Sequence, residues 1–128
     1  MKRLFVFLLG AILFSSCVGG VTEFLKLSET QVNLGAEGGS FTVTSNINCY
    51  IDKITDNQGN VYTFEYYGTP SGTHRKTEWL DANGLSATYS DREISVSVSP
   101  STEPREWTIR AFAGNNGACD LKVCQSEK

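Results

Sequence analysis

From Leu25 onward, apolar and polar residues alternate with period 2 and almost nowhere with period 3.6, the mark of strands with one buried face rather than of amphipathic helices. Leu25-Lys26-Leu27 and Gln31-Val32-Asn33-Leu34 come first, and the glycines of Gly35-Ala36-Glu37-Gly38-Gly39 predict a turn. Phe41-Thr42-Val43-Thr44-Ser45 predicts the next strand, running on through Ile47, Cys49 and Ile51, all on one face. Asp56-Asn57-Gln58-Gly59-Asn60 is a turn cluster, Val61 to Tyr67 an aromatic strand, and Gly68-Thr69-Pro70-Ser71-Gly72 ends it. After Trp79-Leu80 a Gly/Ser/Asn loop leads to Glu93-Ile94-Ser95-Val96-Ser97-Val98-Ser99, the cleanest alternation in the chain. Pro100 and Pro104 bracket the next connection. Trp107-Thr108-Ile109-Arg110-Ala111 predicts a further strand, and Gly114-Asn115-Asn116-Gly117 turns into Cys119-Asp120-Leu121-Lys122-Val123. Seven or so short strands at regular spacing predict an all-β sandwich.

The start of the chain follows another pattern. Met1-Lys2-Arg3 is basic, and Leu4 to Phe14 is an apolar run interrupted only by Gly10. A membrane-spanning helix needs about 20 apolar residues, so this shorter run reads as a secretory signal. Ser15-Ser16-Cys17 follows it and resembles a bacterial lipoprotein signal, with Phe14 where Leu is commoner. That resemblance implies cleavage before Cys17 and a lipid on its sulfur. Residues 1–16 are then the signal peptide, residues 17–23, with Val18-Gly19-Gly20-Val21-Thr22, a short tether, and residues 24–128 the folded domain. Such a protein sits in the cell envelope, lipid-anchored to the outer membrane on either its periplasmic or its surface face.

Charge removes several partner classes. The 128 residues carry 11 Lys and Arg against 14 Asp and Glu, a net charge of −3, and losing Lys2 and Arg3 with the signal makes it −5. Nucleic-acid binding needs a clustered basic face, and Arg75-Lys76 is the longest interior basic run. Nucleic acid and a basic membrane-surface patch are therefore not expected.

Leu25-Lys26-Leu27-Ser28, then Val32-Asn33-Leu34-Gly35-Ala36-Glu37-Gly38-Gly39-Ser40-Phe41-Thr42-Val43-Thr44-Ser45-Asn46, resembles the opening of a BACON domain (Bacteroidetes-associated carbohydrate-binding, often N-terminal). Trp79-Leu80, Ile94-Ser95-Val96-Ser97-Val98, Arg105 leading into Trp107-Thr108-Ile109, and Val123-Cys124-Gln125 agree with it. Cys49 stands where the family usually has an aromatic residue, and the stretch from Lys53 to Thr77 is longer than usual. The resemblance implies an immunoglobulin-like sandwich of seven to eight strands and a glycan-binding role, although the domain also serves as a spacer within larger enzymes.

Catalytic chemistry finds little material. His74, the single histidine, adjoins Arg75 and Lys76 and has no ligand-like Cys, Asp or Glu spacing, so it reads as a solvated loop residue and no metal or other cofactor is expected. No Ser occupies a Gly-x-Ser-x-Gly elbow. Asp52, Asp56, Glu65, Asp81, Asp91 and Glu93 could supply a carboxylate pair, but nothing in their spacing brings two together. The chain reads as a non-enzyme.

Binding chemistry is concentrated in Val61-Tyr62-Thr63-Phe64-Glu65-Tyr66-Tyr67. On one strand Tyr62, Phe64 and Tyr66 share a face and Tyr67 takes the other. Either the first three are core and Tyr67 is a lone exposed ring, or the rings form a sugar-binding face, with Tyr67 the leading candidate and Tyr62 and Tyr66 behind it. The partner is then a polysaccharide, or alternatively an envelope protein met by a structural or assembly subunit through an exposed strand edge.

Cysteines add one expectation. Cys119 and Cys124 lie five apart on one strand, about 16 Å and on opposite faces, and cannot bridge. In the immunoglobulin-like arrangement that the family resemblance implies, the second strand ends near the start of the last. A Cys49–Cys119 disulfide is expected there, with Cys124 on the outer face at the other end. The alternative is three reduced thiols, two of them small core residues.

Intact-mass measurement on protein from the producing envelope should find Cys17 as the first residue, carrying an acyl-glyceryl adduct. Cys17→Ser should no longer partition with membranes.

Overall fold

In the computed structural model, the described residues are 24–69 and 72–127. Cys17, the signal and the tether lie outside them. The elements are β1 (Gln31–Leu34), β2 (Gly39–Thr44), β3 (Tyr50–Asp56), β4 (Val61–Tyr62), β5 (Tyr66–Thr69), β6 (Gly72–Arg75), β7 (Leu80–Asp81), β8 (Leu85–Ser90), β9 (Glu93–Val98), β10 (Arg105–Phe112) and β11 (Ala118–Gln125), with one short 3-10 turn, Gly114–Asn116. They form a five-stranded sheet in the order β1-β11-β10-β3-β4, a four-stranded sheet β2-β9-β8-β7, and a separate hairpin β5-β6. β1 runs parallel to β11, and the other strand pairs are antiparallel. The protein is an all-β sandwich of the immunoglobulin-like kind, as expected.

Alternation builds the core between the two sheets. Trp107, Ile109 and Ala111 on β10, Leu121 and Val123 on β11, and Ile51 and Ile54 on β3 face Val43 on β2, Leu85 and Ala87 on β8, and Ile94, Val96 and Val98 on β9. Full burial of each Ile, Leu or Val contributes about 1.5–3 kcal/mol. A bulge near Arg110/Ala111 puts both Ile51 and Ile54 inward although they are three positions apart.

One end of the sandwich is tied by side chains. Gln125 is only 2% exposed; its Nε2 donates to the carbonyls of Gly35 (3.3 Å), Ala36 (3.3 Å) and Ser99 (3.0 Å). Its Oε1 accepts from Arg105 Nε at 3.0 Å. Arg105 donates on to Ser99 O (2.9 Å) and Asn83 O (3.3 Å) and lies 5.1 Å over the Trp107 ring. Trp107 Nε1 donates to Ala82 O at 2.7 Å. Gly84, at φ +99°, leaves room for this arginine: a Cβ there would stand 1.9 Å from Arg105 Nη1.

Four expectations are corrected. The strand begun at Phe41 does not continue to Ile51. It ends at Thr44 in one sheet and restarts at Tyr50 in the other, because residues 45–49 cross the sandwich, held by Asn46 Oδ1 accepting from the Lys26 N–H (2.7 Å) and by Ser45 Oγ donating to Ile47 O (2.8 Å). The loop after Leu80 is instead a hairpin, β7–β8, closed by Asn83 (φ 54°) and Gly84, with the Ala82 N–H on Leu85 O at 2.7 Å. The aromatic strand breaks at residues 63–65, where Phe64 leaves the sheet for the core, and β5 then pairs with β6.

The fourth correction is the disulfide: Cys49, Cys119 and Cys124 are all free thiols. Cys119 pairs with Ala111, whose other neighbour is Ile51. The register thus sets Ile51, not Cys49, level with Cys119 across β10, and Cys49 stays in the crossing that precedes β3. Burial pushes the Cys49 thiol up despite its bond with the Ser45 hydroxyl at 3.5 Å, and the Cys119 sulfur adds to the rise. Cys124 lies on the outer face, its thiol donating to Glu106 Oε2 at 3.5 Å.

Gln125→Leu, which takes one of two donors from each of the three carbonyls and the acceptor from Arg105 Nε, should destabilise the domain by about 1–3 kcal/mol, read by urea unfolding. Arg105→Ala should cost a similar amount, and the double variant clearly less than the sum, since the two side chains act as one unit.

Candidate functional site

The chain between β3 and β7 first tightens on Asp56. Its Oδ1 accepts the N–H groups of Gln58 and Asn60, each at 2.9 Å, and its Oδ2 accepts Asn60 Nδ2 and the Tyr62 hydroxyl, each at 3.0 Å. The Asn60 side chain, the two backbone donors and Tyr62 together hold the Asp56 carboxyl below its usual range against its desolvation. Burial and the Asp56 carboxylate push the Tyr62 hydroxyl up. Both groups are consumed by this turn, so Tyr62 presents no free hydroxyl to a ligand.

Beyond it, Phe64 inserts edge-on against Tyr89, ring centroids 5.6 Å apart at 82°. The Arg75 guanidinium covers both rings, 4.1 Å from the Tyr89 centroid and 5.2 Å from that of Phe64. It donates to Tyr89 O (3.3 Å), Thr88 Oγ1 (3.4 Å) and Glu78 O (3.5 Å). Since Arg75 pairs with Tyr66 across the β5–β6 ladder, this one side chain fixes the base of the hairpin to β8.

That anchor assembles an aromatic platform. Tyr66, 41% exposed, has its hydroxyl hydrogen-bonded to the Tyr89 side chain. Tyr50, 38% exposed, lies 6.3 Å from Tyr89 and meets Phe112 edge-on at 5.7 Å. Desolvation, the Tyr89 bond and the nearby Tyr89 and Tyr50 hydroxyls push the Tyr66 phenol up to about 12, the Arg75 charge working the other way. Tyr67, 58% exposed, is next in the strand and takes the opposite face of the hairpin. Lys76 Nζ stands 5.7 Å from its ring centre and 3.4 Å from Glu65 Oε1, an exposed pair that contributes little.

The sequence candidates are thus divided: Tyr62 is structural, Tyr66 belongs to the platform, and Tyr67 stands alone beside Lys76. Tyr50, Tyr89, Phe112 and Arg75 were missed. Tyr50 carried a signal, as an aromatic beside Ile51 in an alternating strand; Tyr89 carried one too, in phase with Leu85 and Ala87. Two half-exposed phenols, Tyr50 and Tyr66, set around the partly buried Tyr89 can stack on the C–H face of a sugar ring while their hydroxyls bond its rim.

Elsewhere, no buried side-chain N or O among the described residues lacks a hydrogen-bond partner. Asp81 accepts the Ser86 hydroxyl at 2.5 Å, and among the described residues no three His, Cys, Asp or Glu side chains gather at a metal site. Two open grooves, of about 480 and 750 Å³, lie at the opposite end of β10, one lined by Leu34, Pro104 and Glu106, the other by Gly35, Pro100 and Ser101. Neither contains an aromatic side chain.

Among solved structures the chain is similar to "NMR structure of the protein from Bacteroides thetaiotaomicron", with a TM-score of 0.56 and 18% identity over 86% of this chain and 92% of that one. At that identity the likeness is one of fold. No family model and no curated protein matches the chain.

Tyrosine absorbance titration should reveal a late phenol near 12, absent in Tyr66→Phe. With this pKa higher in the folded state, the neutral phenol stabilises fully below about pH 10, and that contribution is lost as pH rises through 12. Tyr66→Phe should flatten the fall in stability over that window.

Proposed function

We propose that this is a lipid-anchored protein of the bacterial outer membrane, related to BACON domains, whose sandwich carries a non-catalytic glycan-binding platform. The observation that carries the reading is the cluster of half-exposed Tyr66 and Tyr50 around Tyr89, held by an arginine that gives three N–H groups to the scaffold. Preorganised rings lose little freedom on binding, and rings with polar handles suit sugars better than they suit purely apolar ligands. Tyr67 extends the contact area on the hairpin's other face.

An assembly role without sugar recognition is the second reading. β1 favours it, being paired on one side only, with β11. That edge is four residues long and carries exposed Gln31 and Asn33, which bond to each other at 3.1 Å and blunt it for strand addition.

Glycan-array screening followed by calorimetry separates the two. Tyr66→Ala or Tyr50→Ala should weaken glycan binding about tenfold or more, a loss of about 1.4 kcal/mol, and Tyr67→Ala should weaken it less. A protein that binds no glycan, yet captures an envelope partner that a proline in β1 releases, is an assembly subunit instead.

A further inference from the structure

We infer that the sugar taken by the platform is displayed on the same membrane that anchors the protein, as the saccharide head of an envelope glycolipid rather than a free polysaccharide. This rests on the anchored, glycan-binding reading above and adds to it where the chain meets the sandwich. Phe24 O accepts from Asn46 Nδ2 at 2.8 Å, and the Leu25 N–H donates to Asn116 O at 2.9 Å. The chain therefore joins the domain between the 45–49 crossing and the Gly114–Asn116 turn.

The platform begins at that same end. The Phe24 ring reaches within 3.9 Å of where a Gly117 Cβ would stand, and the Ala113 N–H closes the turn on Gly117 O at 2.9 Å. Ala113 follows Phe112, and ring contacts then run from Phe112 to Tyr50 (5.7 Å) and from Tyr50 to Tyr89 (6.3 Å), whose side chain bonds Tyr66. The two open grooves lie beyond the other end of β10, about 25 Å away at 3.3 Å per residue. From Cys17 to Phe24 the chain spans at most about 25 Å, so the anchored domain holds its aromatic end near the head groups.

This placement suits the chemistry of the platform. Half-exposed rings on an open face bind a sugar weakly, but a tether of this length makes binding intramolecular, at an effective concentration on the order of millimolar. A bare phospholipid surface is the poorer match, because the chain is anionic overall and Arg75 is engaged by three scaffold acceptors.

The test uses the lipidated protein from the producing cells. Calorimetry in detergent compares the oligosaccharide released from those cells' own glycolipid by mild acid with soluble starch, xylan and pectin. Hydroxyl-radical footprinting compares vesicles containing that glycolipid with plain phospholipid vesicles. Expected are binding of the released oligosaccharide alone, at least tenfold weakening by Tyr66→Ala and separately by Tyr50→Ala, and protection of Tyr50 and Tyr66 only where the glycolipid is present. Binding of a soluble polysaccharide but not of the released oligosaccharide overturns this inference and leaves the glycan reading standing. No binding to any sugar ends both, and equal protection in plain vesicles means that the aromatic end meets lipid instead. Cys17 without acyl mass removes the anchor, and this inference with it, whatever the oligosaccharide does.

Discussion

A buried side-chain amide governs one end of this sandwich. Gln125 sits near the end of β11, where the β1–β2 turn, the end of β9 and the start of β10 converge, each with backbone carbonyls aimed inward. A hydrocarbon there would leave those acceptors in a low-dielectric site with fewer donors, at a cost that rises with each unmet group. Gln125 meets three, and Arg105 meets Ser99, Asn83 and Gln125 itself while shielding Trp107. Both sheets and two turns are thereby in one network. The requirement reaches into the β7–β8 turn, where Gly84 combines a positive φ with the absence of a Cβ that would strike the guanidinium.

The other end repeats the device with a different result. Arg75 also lies over aromatic rings and also donates to backbone carbonyls, but the segment that it fixes is an insertion between β4 and β7 rather than the frame of the sandwich. Around Arg105 every ring is covered. Around Arg75 the inner ring, Phe64, is covered and the outer ones, Tyr66 and Tyr50, are left half in water with hydroxyls attached. That asymmetry makes one end a joint and the other a surface on which a ligand can lie.

The legible parts of the sequence were those where local alternation and global burial agree. β9 is the best example, since Ile94, Val96 and Val98 face the core and Ser95 and Ser97 face out over the whole strand. β10 and β11 read equally well, with Cys119 inward beside Leu121 and Cys124 outward. Alternation cannot show which sheet a strand joins. Phe41 to Ile51 keep phase across a crossing between sheets, so two strands read as one in the sequence, and Cys49 reads as the end of the second strand although it precedes the third. The Asn83-Gly84 pair is a strong hairpin signal, and reading it as loose loop cost the whole of β8. In the candidate site Phe64 hid the break: a buried aromatic continues a strand pattern as well as it ends one, and only the Arg75 and Tyr89 contacts, made by distant segments, decide which.

The same distant contacts explain why the site could not be assembled from the aromatic run alone. Tyr50, Tyr66, Tyr89 and Phe112 come from four strands, and two of those rings meet only because the insertion folds back across the side where β3 and β8 approach each other. Sequence proximity favoured Tyr62, which the fold spends on Asp56, and Tyr67, which the ladder turns away from the other rings. An aromatic surface built this way is sensitive to the scaffold and tolerant in its own composition. Arg75 is held by three acceptors, so its loss would release Tyr66 from the other rings even with every tyrosine in place, whereas trimming a single outer ring removes contact area and leaves the anchor intact.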